Sequence, residues 1–303
     1  MSSRVTLVFA LLFSLAGPAL ALQLSASEGE ASFGFLKLSL SPRSVGLGGG
    51  GVALVGGIVD ADLNPAAPAR DSGGVAAGQI YLPSFSATGS FAAWNIPVDD
   101  YRITAQARYL GYDNIPGYDG NDAATAAYGA HLIKLQTGVA GSLAGFDYGA
   151  SVAIAENNIA DQTYGAGLLN LGLWRGLSGG FAAGVSLMNV DFWTSKAADG
   201  TSIIAPVTIQ AGAAYSREAY RNLQVSVTAD VRKRNDESVA LPVGVEACWQ
   251  NILSVRLGYP VAEQNAAPTF GLGLQWSRFG FEYAYQGNAE ISATQLWALE
   301  IRY

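Results

Sequence analysis

Gly46, Gly48 and Gly51 lie within the stretch SVGLGGGGVALVGG, residues 44–57, and fit the spacing G-x-G-x-x-G. That spacing lets a backbone close around a pyrophosphate, and Asp60 or Asp62 follows a short way downstream as a ribose partner. The chemistry would be dinucleotide binding. It requires a strand before the glycines, a helix after them and further strand–helix units beyond. Other reactive material is sparse. One histidine, His131, and one cysteine, Cys248, leave no set for metal, Ser-His-Asp or Cys-His chemistry. The segment DNIPGYDGND, Asp113 to Asp122, offers carboxylates to calcium but lacks the ligand spacing of a dedicated loop, and reads as a solvated turn. The sequence therefore argues against an enzyme and assigns no cofactor and no metal.

The elements that would have to position these residues do not follow a strand–helix rhythm. In LQVSVTADVR, Leu223, Val225, Val227, Ala229 and Val231 alternate with Gln224, Ser226, Thr228, Asp230 and Arg232. YRITAQARY (101–109), FGFEYAYQ (279–286) and TQLWALEIRY (294–303) repeat the pattern. Successive side chains of a strand point to opposite faces, so a period of two is the signature of a sheet with two unlike surfaces. A coarse reading places strands at 75–83, 89–97, 101–111, 125–141, 145–157, 163–174 and 178–190. A second set falls at 205–216, 221–233, 239–249, 252–259, 268–276, 279–287 and 294–303. The first two alternate weakly. The count is about fourteen.

A soluble sandwich and a membrane barrel both give such alternation, one with its apolar face inside and the other with it outside. Three features favour the barrel. The second face is rich in Gly, Ala, Ser, Thr and Gln, the apolar face carries aromatics near strand ends, and the chain ends on an aromatic residue within a strand, Tyr303. Composition agrees: 50% of residues are apolar and only 14% charged, yet after the first residues no apolar run approaches the ~18 that a membrane helix requires. The net charge of −7 argues against a nucleic-acid partner. The predicted fold is all-β, a transmembrane antiparallel β-barrel of about 14 strands with an N-terminal Gly-rich plug. The glycines are then expected to serve tight turns and close packing in the lumen.

Arg4, the apolar VTLVFALLFSLA and the ALA ending at Ala21 read as a secretory signal peptide over 1–21. The plug or cap segment is assigned to 22–74 and the barrel to 75–303. Within VGVEACWQNILSVRLGY a hairpin turning near Asn251 sends Val243, Val245, Ala247 and Trp249 to lipid together with Leu253, Val255, Leu257 and Tyr259. Glu246 and Arg256 then face the lumen opposite each other, or one step off, as an ion pair that braces the barrel or, alternatively, tunes its selectivity. His131 shares a side with Ile133 and Leu135, toward the membrane edge, and Cys248 lies on the lumenal face beside Glu246.

The stretch FLKLSLSPRSVGLGGGGVAL…DADLNPAAPA resembles the amino-terminal signature of the PorV/PorQ family, outer-membrane barrels related to the fatty-acid transporter FadL. The matching positions are Phe35, Leu36, Leu38, Arg43, Leu47, Gly48, Gly49, Asp60, Asp62, Asn64, Pro65 and Ala66, with Pro42 where the family commonly has Ala. Further matches at GLLNLGLW (167–174), GVSLMNV (184–190), GVE (244–246) and VRLGYP (255–260) extend the resemblance over most of the chain. FLKL and YDNIPGYDGNDAATAAYGA look slightly closer to the PorQ branch. The resemblance implies a plug motif of Gly48, Gly49, Asp60, Asp62, Asn64 and Pro65. It also implies a bacterial outer-membrane location and a non-enzymatic role in type IX secretion. The partners would be secretion or surface-attachment proteins, docked through loops near 112–124, 191–204 and 260–267. The alternative is FadL-like transport of a hydrophobic ligand, which the small, polar lumenal faces read from the alternation favour less.

Overall fold

The computed structural model describes residues 31–54, 56–118, 123–160, 162–197, 200 and 203–303. The signal segment 1–21, the start of the plug at 22–30 and the carboxylates of the Asp113–Asp122 stretch lie outside the described residues.

Fourteen strands close into one antiparallel ring in which every strand pairs with its neighbours in sequence and β1 pairs with β14. They are β1 (Gly74–Leu82), β2 (Ala87–Val98), β3 (Tyr101–Tyr118), β4 (Ala124–Leu143), β5 (Phe146–Ile159), β6 (Gln162–Gly176) and β7 (Phe181–Thr194). The ring continues with β8 (Thr208–Tyr220), β9 (Leu223–Arg234), β10 (Leu241–Trp249), β11 (Leu253–Val261), β12 (Thr269–Trp276), β13 (Phe279–Gln286) and β14 (Thr294–Arg302). Closure leaves no unpaired edge, the condition for a sheet to sit in lipid.

The outside of the ring is apolar. Val227, Val231, Val245, Leu257, Leu299 and Ile301 all point outward and are exposed. Trp94, Trp249, Trp276, Phe279 and Tyr303 gird one end, and Tyr81, Tyr118, Trp193, Tyr259 and Tyr285 gird the other. An apolar band between two aromatic girdles is the surface of a membrane-spanning barrel. Short turns at 99–100, 144–145, 221–222 and 277–278 mark one end, the turn end; connections at 195–207, 235–240, 262–268 and 287–293 mark the other, the loop end.

One wall is irregular. Between Leu171↔Leu187 and Leu169↔Val190 the β6–β7 register slips, so that Met188 and Asn189 oppose Asn170 alone. Asn189 takes a left-handed conformation, φ 59°, and its backbone N–H donates to Asn170 Oδ1 at 2.7 Å. The β7–β8 ladder ends at Met188↔Thr208, within the bulge. Bulges bend a strand and re-aim its side chains. In the chain leading into β8, Ile203, Ala205 and Val207 are buried and the Ala205 N–H donates to Asp191 Oδ2; residues 198, 199, 201 and 202 of this connection lie outside the described residues.

Candidate functional site

The lumen is filled by residues 31–73. Ser41 caps the short helix α1 (Pro42–Gly46), its Oγ accepting the Ser44 N–H at 3.2 Å, with proline at the first helical position. Gly46 ends the helix and Gly48 and Gly51 follow it instead of preceding it, the reverse of a dinucleotide cradle. Their work is close approach. Gly48 and Gly49 have φ of 76° and 80°, and a Cβ on Gly48 would lie 2.8 Å from the Tyr259 backbone. The Gly48 N–H donates to Thr269 Oγ1 at 3.0 Å, and that hydroxyl donates to Gly46 O.

The acidic and N-P-A positions bind the plug to itself and to the wall. Asp60 accepts from Ser41 Oγ and from the Gly57 N–H, both at 2.7 Å. Asp62 accepts the Leu40 N–H at 3.0 Å and pairs with Arg108 at 2.8 Å and Lys134 at 3.7 Å. Asn64 donates through Nδ2 to Val52 O and Leu173 O, and its Oδ1 accepts the Ala66 N–H. Pro65 lies against Gly149 of β5, where any Cβ would strike its carbonyl; at Gly172 of β6 a Cβ would strike Asn64.

Glu246 and Arg256 stand directly opposite across β10–β11, with Nε 2.6 Å from Oε2. They belong to a larger network. Arg256 also pairs with Glu282, and Arg43 of α1 donates to both Glu246 oxygens at 2.6 and 2.9 Å. Burial would lower the Arg43 pKa, but the Glu246 carboxylate outweighs it and raises the guanidinium above its ordinary value. Arg302 closes the seam, bonding Glu300 at 2.8 Å and Gly56 O at 3.0 Å, with Asp71 at 3.6 Å. A cavity of about 210 Å³ at the turn end is lined by these charges, with Cys248 at its edge. His131 sits on the outer face, its ring nitrogen 2.8 Å from Tyr109 Oη.

Three groups that the sequence reading did not single out also hold the plug. Asp230 accepts the Val52 N–H at 3.0 Å and Gln210 Nε2 at 2.7 Å, and Trp174 Nε1 donates to Ala53 O at 2.7 Å. Asp230 had a signal: it is the acid on the inward-facing set of LQVSVTADVR.

Toward the loop end the lumen changes character. Ile80, Leu82, Phe91, Leu110, Leu132, Leu168 and Leu296 face inward and pack on Phe33, Phe35, Leu36 and Leu40 of the plug. This half is an apolar chamber, contrary to the small, polar lining read from the stronger alternations. Beside it, between the plug and β7–β9, is a cavity of about 220 Å³ lined by Leu36, Leu38 and Val45 of the plug and by Ser186, Met188, Asn189 and Thr208 of the wall.

No protein-family model matches the sequence, and no curated protein does. Solved structures are similar in fold. The Pseudomonas putida toluene transporter TodX is 12% identical with a TM-score of 0.61, the match covering 92% of this chain and 100% of that one. The Ralstonia pickettii toluene transporter TbuX is 12% identical with a TM-score of 0.55, covering 88% and 98%. A Pseudomonas aeruginosa FadL homologue is 10% identical with a TM-score of 0.53, covering 88% and 98%. The chain has the barrel fold of FadL-type outer-membrane proteins.

Proposed function

We propose that this protein is a non-enzymatic outer-membrane channel through which small hydrophobic molecules pass, with residues 31–73 as its gate. The observation that carries the reading is the apolar chamber closed by Phe33, Phe35, Leu36 and Leu40. Burying one such side chain is worth about 1.5–3 kcal/mol, so the segment is displaced at low cost only by something equally apolar. A hydrocarbon entering the chamber replaces the contacts that Phe33 and Phe35 give up; a sugar or an ion does not. The fold shared with two toluene transporters supports the same choice. Export by the 1–21 signal and loops facing outward complete the picture.

The test is uptake of labelled toluene into proteoliposomes, with glucose as the polar control. Toluene entering faster than through protein-free vesicles, with glucose unchanged, supports the reading. Equal entry of both refutes it.

A second reading is a component of type IX secretion of the PorV/PorQ kind. It is supported by the order of F-L-x-L, L-G-G and N-P-A, which coincides with the plug. Deleting the gene and comparing the proteins of the medium and cell surface tests it: loss of a defined set of exported proteins favours this role over passage.

A further inference from the structure

The cavity between the plug and β7–β9 carries an unusual combination. Its charged lining groups already have ionic partners. Lys37 pairs with Asp236 and Glu237, and Asp62 with Arg108 and Lys134. Arg232 pairs with Glu263, and Arg234 with Glu237. Two of its neutral polar groups do not. Ser186 Oγ and Asn189 Oδ1 are buried, on residues 1% and 4% exposed, and have no hydrogen-bond partner among the described residues. Both line the cavity. Buried polar atoms are normally satisfied, so a pair left over on one wall marks a place where something else supplies the bond.

The fold explains why these two are left. Asn189 sits in the β6–β7 bulge, where its N–H is spent on Asn170 and its Nδ2 on Pro206 O, leaving Oδ1 alone. Ser186 lies three residues earlier on β7, where the β8 ladder is about to stop. Leu36, Leu38 and Val45 of the plug line the same cavity, and Met188 lies between the two polar residues on β7.

We infer that this cavity is a binding site for a neutral molecule with an apolar body about one ring in size and a hydroxyl group, a phenol-type ligand. The hydroxyl donates to Asn189 Oδ1 and accepts from Ser186 Oγ, which a single O–H group can do at once. A carboxylate would find Lys37, Arg232 and Arg234 each already bound to an acidic side chain, with only the Arg234 Nε–H unspent, and is disfavoured. A bare hydrocarbon is disfavoured because it leaves both atoms unmet. Size agrees: a cavity of about 150 Å³ suffices for benzene, and this one is about 220 Å³. The inference rests on the passage reading for its route of entry and narrows the ligand class.

The experiment is calorimetric titration of the intact detergent-solubilised barrel with p-cresol, toluene and p-toluate, three molecules with one skeleton and different head groups. The expected result is p-cresol binding about tenfold or more tighter than either of the others. Ser186→Ala and Asn189→Gly, the latter keeping the left-handed backbone available, each reduce p-cresol binding about tenfold and leave toluene unchanged. Both variants must retain the heat-modifiable gel mobility of the parent. Equal binding of p-cresol and toluene, a preference for p-toluate, or unchanged binding by the variants overturns the inference. So does no binding of p-cresol, which means that the two atoms are met by water. The proteoliposome assay is independent: p-cresol binding without toluene passage removes the channel and keeps the site, whereas the reverse removes the site and keeps the channel.

Discussion

Arg43 on the plug helix and Glu246 on β10 are joined by two hydrogen bonds, 2.6 and 2.9 Å long, between a guanidinium fork and both oxygens of one carboxylate. Glu246 bonds Arg256 as well, so the plug completes an ion network that belongs to the wall. Breaking a buried pair by deleting one partner costs about 3–5 kcal/mol. Arg43→Ala therefore loosens the plug and raises ion conductance in planar bilayers, while Arg43→Lys, which keeps charge without the fork, falls between it and the parent.

The wall glycines are complementary to the plug backbone. Gly172→Val and Gly149→Val place side chains where Asn64 and Pro65 lie, an overpacking that costs about 1–3 kcal/mol or more. Both variants are expected to form barrels and to conduct more than the parent in the same bilayer recording. Conductance equal to the parent's would show that the N-P-A segment does not seal the lumen.

Phe33 and Phe35 are buried in the loop-end chamber, and truncating a buried Phe to Ala costs about 3–5 kcal/mol. On the passage reading, Phe33→Ala with Phe35→Ala raises the rate of toluene entry into proteoliposomes. A slower rate would make these rings part of the path instead of its closure.

Glu237, in the loop after β9, holds Lys37 of the plug at 2.8 Å and Arg234 at 2.7 Å. Burial pushes its carboxyl up, but Arg234 and Lys37 outweigh this and hold it at about 2, below the ordinary 4.5. The charge therefore contributes stability above pH 4.5 that is lost as pH falls through about 2. Protease cleavage near residues 31–40 is expected to rise across that window, and Glu237→Gln is expected to show the raised cleavage already at neutral pH.

Leu257 projects from β11 into the apolar band and is 61% exposed. Arg at such a depth costs about 2–4 kcal/mol in a membrane barrel. Leu257→Arg should lower the folded fraction in phosphatidylcholine vesicles, whereas Ser254→Arg, on the lumenal face of the same strand, should not follow the same depth dependence.

The strands were legible because lipid on one side and a filled lumen on the other force a period of two. Each of the fourteen expected segments corresponds to a strand, with ends shifted by four residues or fewer except in β3, which continues past the expected 111 to Tyr118. The apolar chamber was written in the same residues and misread. β1 and β2 alternate weakly because Ile80, Leu82 and Phe91 point inward while Tyr81 and Trp94 point outward. Weak alternation meant two apolar faces. The contacts of Asp230 and Trp174 join positions more than a hundred residues apart, and no local spacing encodes which plug atom meets which wall residue.

The seam has a consequence for how such a chain is made. β14 closes the ring against β1, which leaves the plug directly at Gly73. Tyr303 N–H bonds Gly73 O, and Arg302 reaches Gly56 O and Asp71 of the plug. Arg302 and Tyr303 thus grip the plug and the first strand together. A ring that shuts around an unseated plug forfeits the Arg302 contacts at its own junction. Enclosure and filling are thereby coupled: the strand that shuts the ring also clasps the segment that fills it.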